Sequence, residues 1–89
     1  MIRIERMTGG FDVSDLVAGE IPAETPNGVV TLFTLDNAYI AGTLKVWRDQ
    51  LTMQPTVDFT ETDPDAGTFT LTSAPLAGEV VWCDYLKQS

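Results

Sequence analysis

The chain reads as all-β: a small antiparallel β-sandwich or barrel with an N-terminal extended arm. Three observations predict this. Ten of its twelve threonines follow residue 27, in the company of Val, Phe, Tyr and Trp, the residues that suit a pleated, half-buried surface. Apolar and polar residues alternate over short runs. Gly, Pro, Asp and Asn punctuate those runs at close spacing, as turns do in sandwiches and small barrels.

Residues 1–26 read as an arm or lead-in segment and residues 27–89 as the sandwich domain. In the arm, Ile2 and Ile4 alternate with Arg3 and Glu5, which suits a short strand, and Gly9-Gly10 breaks the pattern. Over Phe11–Gly19, Asp12 could cap one or two helical turns that Gly19 ends. Pro22 and Pro26 then enforce extended backbone.

In the domain, Val29–Leu35 is the first strand, with Thr31, Phe33 and Leu35 on one face. Gly42–Arg48 is the second, with Leu44 and Val46 opposite Thr43, Lys45 and Trp47. Asp49-Gln50 forms a hairpin turn and Leu51–Met53 begins the return, with Pro55 confined to an edge or bulge. Val57–Glu61 is a further strand. Asp63-Pro64-Asp65-Ala66-Gly67 is the clearest turn of the chain. Thr68–Thr72 alternates with Phe69 and Leu71 inward, Ser73–Gly78 turns again, and Glu79–Leu86 closes the fold. That last strand is apolar on both faces, Val81, Cys83 and Tyr85 against Val80, Trp82 and Leu86, which suits a central strand or one whose outer face meets a partner.

Composition excludes several functions. With 89 residues there is one small domain, and at that size a fold buries only about 60% of its unfolded surface and gains from docking or oligomerisation. One cysteine and no histidine exclude an intrachain disulfide, a cysteine-built zinc site and a histidine-based triad. Thirteen acids against five bases, a net charge of −8, argue against nucleic acid as a partner, since phosphate affinity needs clustered cations. No apolar run reaches the roughly 20 residues of a membrane helix, and Met1–Arg6 lacks the apolar stretch of a signal peptide, so no membrane partner is expected. The acidic excess reads as a solvated face that opposes aggregation.

Each candidate for chemistry has a plainer reading. Cys83 lies between Trp82 and Asp84, with no base or cation to form a thiolate, and reads as a small buried residue. Asp58 and Glu61 have opposite parity on a strand, so they do not form a catalytic carboxylate pair. Asp63 and Asp65, with Glu61 near, offer too few oxygens for a calcium loop and read as turn residues. No catalytic residue, cofactor or metal is expected. Trp47, Tyr39 and Trp82 could stack against a sugar, with packing or subunit contact as the alternative; Tyr39 and Trp47 are the exposed contacts to test. The arm's Ile2, Ile4, Phe11, Val13, Leu16 and Val17 are costly to leave in water, at roughly 25 cal/mol per Å². They are expected to cover the sandwich or to enter a neighbouring subunit, with strand addition available at open sheet edges.

Several features in order resemble a β-sandwich module of tailed-phage virion proteins. They run from Gly19-Glu20-Ile21-Pro22 through Pro26-Asn27-Gly28, Leu32–Leu35, Gly42–Trp47, Val57–Thr60 and Thr68–Pro75 to Gly78–Val81 and Tyr85. The resemblance covers about residues 19–86 and rests on their order, since no single element is specific. It departs at Asp49-Gln50, where the family has Asn-Gly. Gln tolerates positive φ poorly, so a wider turn or a bulge is expected there. The resemblance implies a non-enzymatic virion structural protein, assembled in the host cytoplasm, that decorates or joins capsid or tail components. It implies homo-oligomers, with three-fold clustering as the family expectation. The alternative it leaves is a receptor- or glycan-binding module of a tail fibre.

Overall fold

The computed structural model describes residues 15–88, and they form two packed antiparallel sheets. The larger sheet has the order β1-β7-β3-β4, and the smaller one β2-β6-β5. In chain order the strands are β1 (Leu16–Glu20), β2 (Leu32–Thr34), β3 (Lys45–Arg48), β4 (Leu51–Met53), β5 (Phe59–Asp63), β6 (Thr68–Leu71) and β7 (Val81–Leu86). A single 3-10 turn, Pro64–Ala66, joins β5 to β6.

Alternation decides which side chains meet between the sheets. From the smaller sheet come Phe33, Phe59, Phe69 and Leu71; from the larger come Val46, Val81, Cys83 and Tyr85; and Leu35, Tyr39 and Leu44 fill in from the connections. The Phe69 ring lies 5.7 Å from Phe33, stacked, and 6.3 Å from Phe59, edge-on. Each such contact adds to the burial of the rings themselves. The last strand is central, as its two apolar faces predicted: β7 lies between β1 and β3, with Lys45↔Asp84 and Trp47↔Trp82 among its pairs.

Five local expectations are corrected. The helical turns placed up to Gly19 are, from Leu16 onward, strand β1, while Phe11–Ser14 and the Ile2–Ile4 strand lie outside the described residues. A piece this short cannot sustain a helix, and the edge of β7 offers it a ladder. Gly19, at φ +70°, marks a bulge there between Val17↔Tyr85 and Glu20↔Cys83. The first domain strand shrinks to Leu32–Thr34, because Asn27 Oδ1 accepts the N–H groups of both Val29 and Val30, each at 2.8 Å, and turns the preceding backbone out of the sheet. The strand predicted over Val57–Glu61 begins at Phe59, since the N–H groups of Val57 and Asp58 close a turn on the Gln54 carbonyl.

The hairpin at Asp49-Gln50 is also tighter than expected. Arg48 pairs directly with Leu51, so only two residues make the connection. The left-handed conformation falls on Asp49 alone (φ 56°), and Gln50 is spared it. Asp enters that region more readily than most residues, and the Asp49 side chain is held in place by a distant bond, its Oδ1 accepting the Val80 N–H at 2.9 Å. The turn after β5 forms as predicted, with Asp63 Oδ1 accepting the Asp65 N–H and Gly67 ending it at φ 75°. A Cβ at Gly67 would sit 2.7 Å from the Asn37 carbonyl oxygen, so both space and conformation require glycine there.

The fifth correction concerns Tyr39, which is fully buried and therefore no exposed contact. Its N–H donates to the Pro64 carbonyl, and its hydroxyl donates to the Thr68 carbonyl at 2.6 Å. With Ile40 N–H bonded to the Leu86 carbonyl, Tyr39 ties the end of β7 to the start of β6. The two sheets therefore share their ends. The finish of β7 and the start of β6 lie at one end of the sandwich, and the start of β7 and the finish of β6 at the other.

Candidate interaction surface

The acidic excess is not simply a solvated face. Five carboxylates near the Tyr39 end, those of Glu20, Glu24, Glu61, Asp63 and Asp84, accept backbone N–H groups. Glu20 accepts the Asp36 N–H at 2.6 Å through one oxygen and the Tyr85 hydroxyl through the other. Asn37 Nδ2 donates to that same hydroxyl at 3.1 Å. Burial and the hydrogen bond to Glu20 push the Tyr85 phenol up to about 12. Glu24 takes both the N–H and the hydroxyl of Thr34, at 2.6 and 2.8 Å, and so caps the free edge of β2. Asp84 accepts the Gly19 N–H at 2.8 Å, and both oxygens of Glu61 lie 3.0 Å from the Gly42 nitrogen. Charge-assisted bonds of this kind are stronger than neutral ones. They fasten β1 and the crossover after it, whose apolar contribution is small: Val17 packs against the domain's own core, and Leu16 stays half-exposed.

The opposite end is built otherwise. The loops 27–31, 49–51, 54–58 and 72–80 meet there, stitched by bonds from Gly28 N–H to the Pro75 carbonyl, Asp49 N–H to Val80, Leu71 N–H to Thr31 and Thr72 N–H to Asp58. Most of these loops come from runs without charge, over residues 25–35, 50–57 and 66–78. Val29, Leu51, Val57, Leu76 and Val80 stand between 45% and 80% exposed on them. The charges present are Asp49, Asp58 and the Arg48–Glu79 pair, in which Arg48 Nη2 lies 2.8 Å from Glu79 Oε1. The Arg48 bonds, aided by the Leu76 N–H, hold the Glu79 carboxyl below the usual carboxylate range.

On the outer face of the larger sheet, Trp47 and Trp82 stack across β3 and β7, with ring centroids 4.4 Å apart and planes within 7°. The Trp82 Nε1–H donates to the Asp49 carbonyl at 2.9 Å, which ties the stack to the hairpin turn. Each indole thereby gives one face to the other, and the pair clips two strands together from the solvent side. Beside them, Leu16, Thr43, Lys45, Asp84 and Leu86 line a shallow hollow of about 300 Å³. A second hollow of about 360 Å³ opens between the Gly42–Leu44 approach to β3 and the start of β5, with Pro55 and Phe59 in its lining.

The other candidates separate in space or turn inward. Asp58 bonds the Gln54 N–H while Glu61 bonds Gly42, so the two carboxylates serve different loops. Asp63 caps its own turn and Asp65 accepts from Gln88 Nε2 at 2.8 Å. Among the described residues no group of three or more carboxylates and thiols converges as a metal centre would require. Cys83 is buried and unpaired, and burial first, then Glu20 and Asp84, push its thiol up, away from the thiolate. Of the arm residues, Ile2, Ile4, Phe11 and Val13 lie outside the described residues. The common location of these loop apolar residues was missed in the sequence because each belongs to a different segment, and only the topology brings those segments to one end. Comparison with known protein families, with curated proteins and with solved structures finds no match to this chain.

Proposed function

We propose that the protein is a non-enzymatic structural component of a tailed-phage virion, which joins or decorates capsid or tail components through protein–protein contacts. The observation that carries this reading is the pairing of a small two-sheet domain with apolar side chains held out on its loops, while its carboxylates are spent on its own backbone. Exposed apolar residues gathered at one place mark interaction sites. The virion context comes from the resemblance in the order of the sequence elements. The arm's Ile2, Ile4, Phe11 and Val13 supply a second contact in this reading, and symmetric copies follow from the family pattern.

Quantitative protein composition of purified particles tests it. The chain should be present at a fixed stoichiometry to the capsid or tail protein, and its absence from mature particles would overturn the reading. A receptor- or glycan-binding role has one observation in its favour, the half-buried Trp47 on an outer sheet face. The stack on Trp82 leaves a sugar only one indole face, not a platform. Saturable binding on a glycan array, abolished by Trp47→Ala in a protein that stays folded, would select that role instead.

A further inference from the structure

We infer that Asn27 is a site of covalent self-modification. In the folded protein the Gly28 peptide nitrogen closes on the Asn27 side-chain amide, ammonia leaves, and an aspartyl or isoaspartyl residue remains. Three observations lead there.

First, the loop activates the amide. Asn27 Oδ1 accepts the N–H groups of Val29 and Val30, each at 2.8 Å. To reach them the side chain folds back along the chain beside the intervening Gly28 peptide, which brings nitrogen and amide carbon together. Attack places negative charge on Oδ1, and two backbone N–H groups already point at that oxygen, as in an oxyanion hole. Among the described residues nothing bonds Nδ2, the atom that leaves.

Second, the nucleophile is restrained at a single point. Gly28 has no side chain to obstruct ring closure and lies outside the strands, and both residues are exposed to the water that completes the reaction. The Gly28 N–H donates to the Pro75 carbonyl at 2.7 Å, which opposes loss of its proton. Reaction therefore waits on the 72–80 loop drawing back. The bonds to Val29 and Val30 lie within residues 27–30, so a local opening leaves them in place.

Third, the chain's other asparagine is arranged differently. Asn37 precedes Ala38, whose methyl group crowds ring closure, and its Nδ2 donates to the Tyr85 hydroxyl at 3.1 Å.

In the reaction the Gly28 nitrogen gives its proton to hydroxide and bonds to Asn27 Cγ. The Cγ–Nδ2 bond breaks, and Nδ2 takes a proton from water and departs as ammonia. Water then opens the cyclic imide at either carbonyl. One opening leaves an aspartate at position 27, whose carboxylate caps Val29 and Val30 as the amide did. The other routes the main chain through the former side chain, and that cap is lost. Either product adds a negative charge at the acid-poor end. The inference is independent of the virion reading.

The test holds the full-length protein at mildly alkaline pH, folded by circular dichroism, and follows its peptides by mass spectrometry. Residue 27 should gain the mass of an amide-to-acid exchange and separate into aspartyl and isoaspartyl forms, while Asn37 keeps its amide. Glu79→Ala frees the Leu76 N–H, which Glu79 Oε1 accepts at 2.6 Å, and so loosens the 72–80 loop. It should speed the loss about tenfold, as removing one hydrogen bond from a local opening does. Tyr85→Phe weakens the opposite end and should react at the parent's rate; if Glu79→Ala does not fold, this comparison still decides. A folded parent that keeps Asn27 intact while the urea-unfolded chain loses the amide would overturn the inference. So would acceleration by Tyr85→Phe, a folded Glu79→Ala variant that reacts no faster, or a product that is aspartyl alone.

Discussion

The two ends of this sandwich solve the same problem with opposite chemistry. At the Tyr39 end, loops and the β1 strand are held by carboxylates that accept backbone N–H groups: Glu20 on Asp36, Glu24 on Thr34, Glu61 on Gly42. At the other end the loops are stitched mainly backbone to backbone, and their apolar side chains point away from the core. The difference teaches that net charge and surface charge are separate matters. Acids placed as internal acceptors add negative charge while replacing polar contacts that a small core cannot supply. The acid-poor end is left free to touch something else.

Substitutions can break or sharpen that contrast. The largest effect belongs to neither end but to the aromatic middle that both depend on. Phe69→Ala, or Phe33→Ala beside it, should cost about 3–5 kcal/mol in chemical denaturation; a variant that melts like the parent would contradict the packing of those rings. At the carboxylate end, Tyr85→Phe removes a hydrogen bond to a charged group and should cost about 1.5–3 kcal/mol. Its amide-exchange signature should concentrate in Leu16–Glu20, the strand that Glu20 helps to hold.

The same tyrosine gives a pH dependence. Its folded value is raised from an ordinary 10.0 to about 12, so the fold favours the neutral phenol. The stability this contributes is complete below pH 10 and is lost as pH climbs through about 12. Denaturation midpoints should therefore fall over that window, and Tyr85→Phe should flatten part of the fall. Tyr39 and Cys83, both raised in the same direction by burial, contribute to the remainder.

Trp47→Ala removes the solvent-side stack and should cost about 1 kcal/mol, within the range of cross-strand aromatic pairs. It should also abolish the coupled indole signal that two parallel rings 4.4 Å apart give in circular dichroism. Smallest of all, Leu76→Ser should change stability by less than about 0.5 kcal/mol, as exposed substitutions do. A large loss there would show that the apolar end is held together by its side chains, and the contrast between the ends would fail.

Much of the fold was legible in the sequence because period-two alternation reports burial directly. Thr68–Leu71 carries that pattern cleanly and its inward residues are the buried ones, while Val81–Leu86, apolar on both faces, alternates in burial alone. Where local bonds compete with the ladder, the pattern misled. Asn27 capped the approach to β2, and the Gln54 carbonyl gathered the amides of residues that read as the start of β5. Strand β1 was illegible for another reason: its partner stands some 65 residues away, and only docking on β7 makes it a strand. Tyr39 carried no periodic signal, and it is buried by packing in the core beside Tyr85, with its hydroxyl bonded to the distant Thr68 carbonyl. The candidate surface was illegible because no short window contains it. Val29 and Leu76 sit in separate loops and Leu51 opens β4, so three different segments supply it.

Cys83 gives the molecule a built-in reporter. Its sulfur is sealed between the sheets and kept protonated, next to side chains from both layers. A thiol-specific dye cannot reach it until the layers part. The labelling rate of the native protein therefore counts how often the layers part over β7.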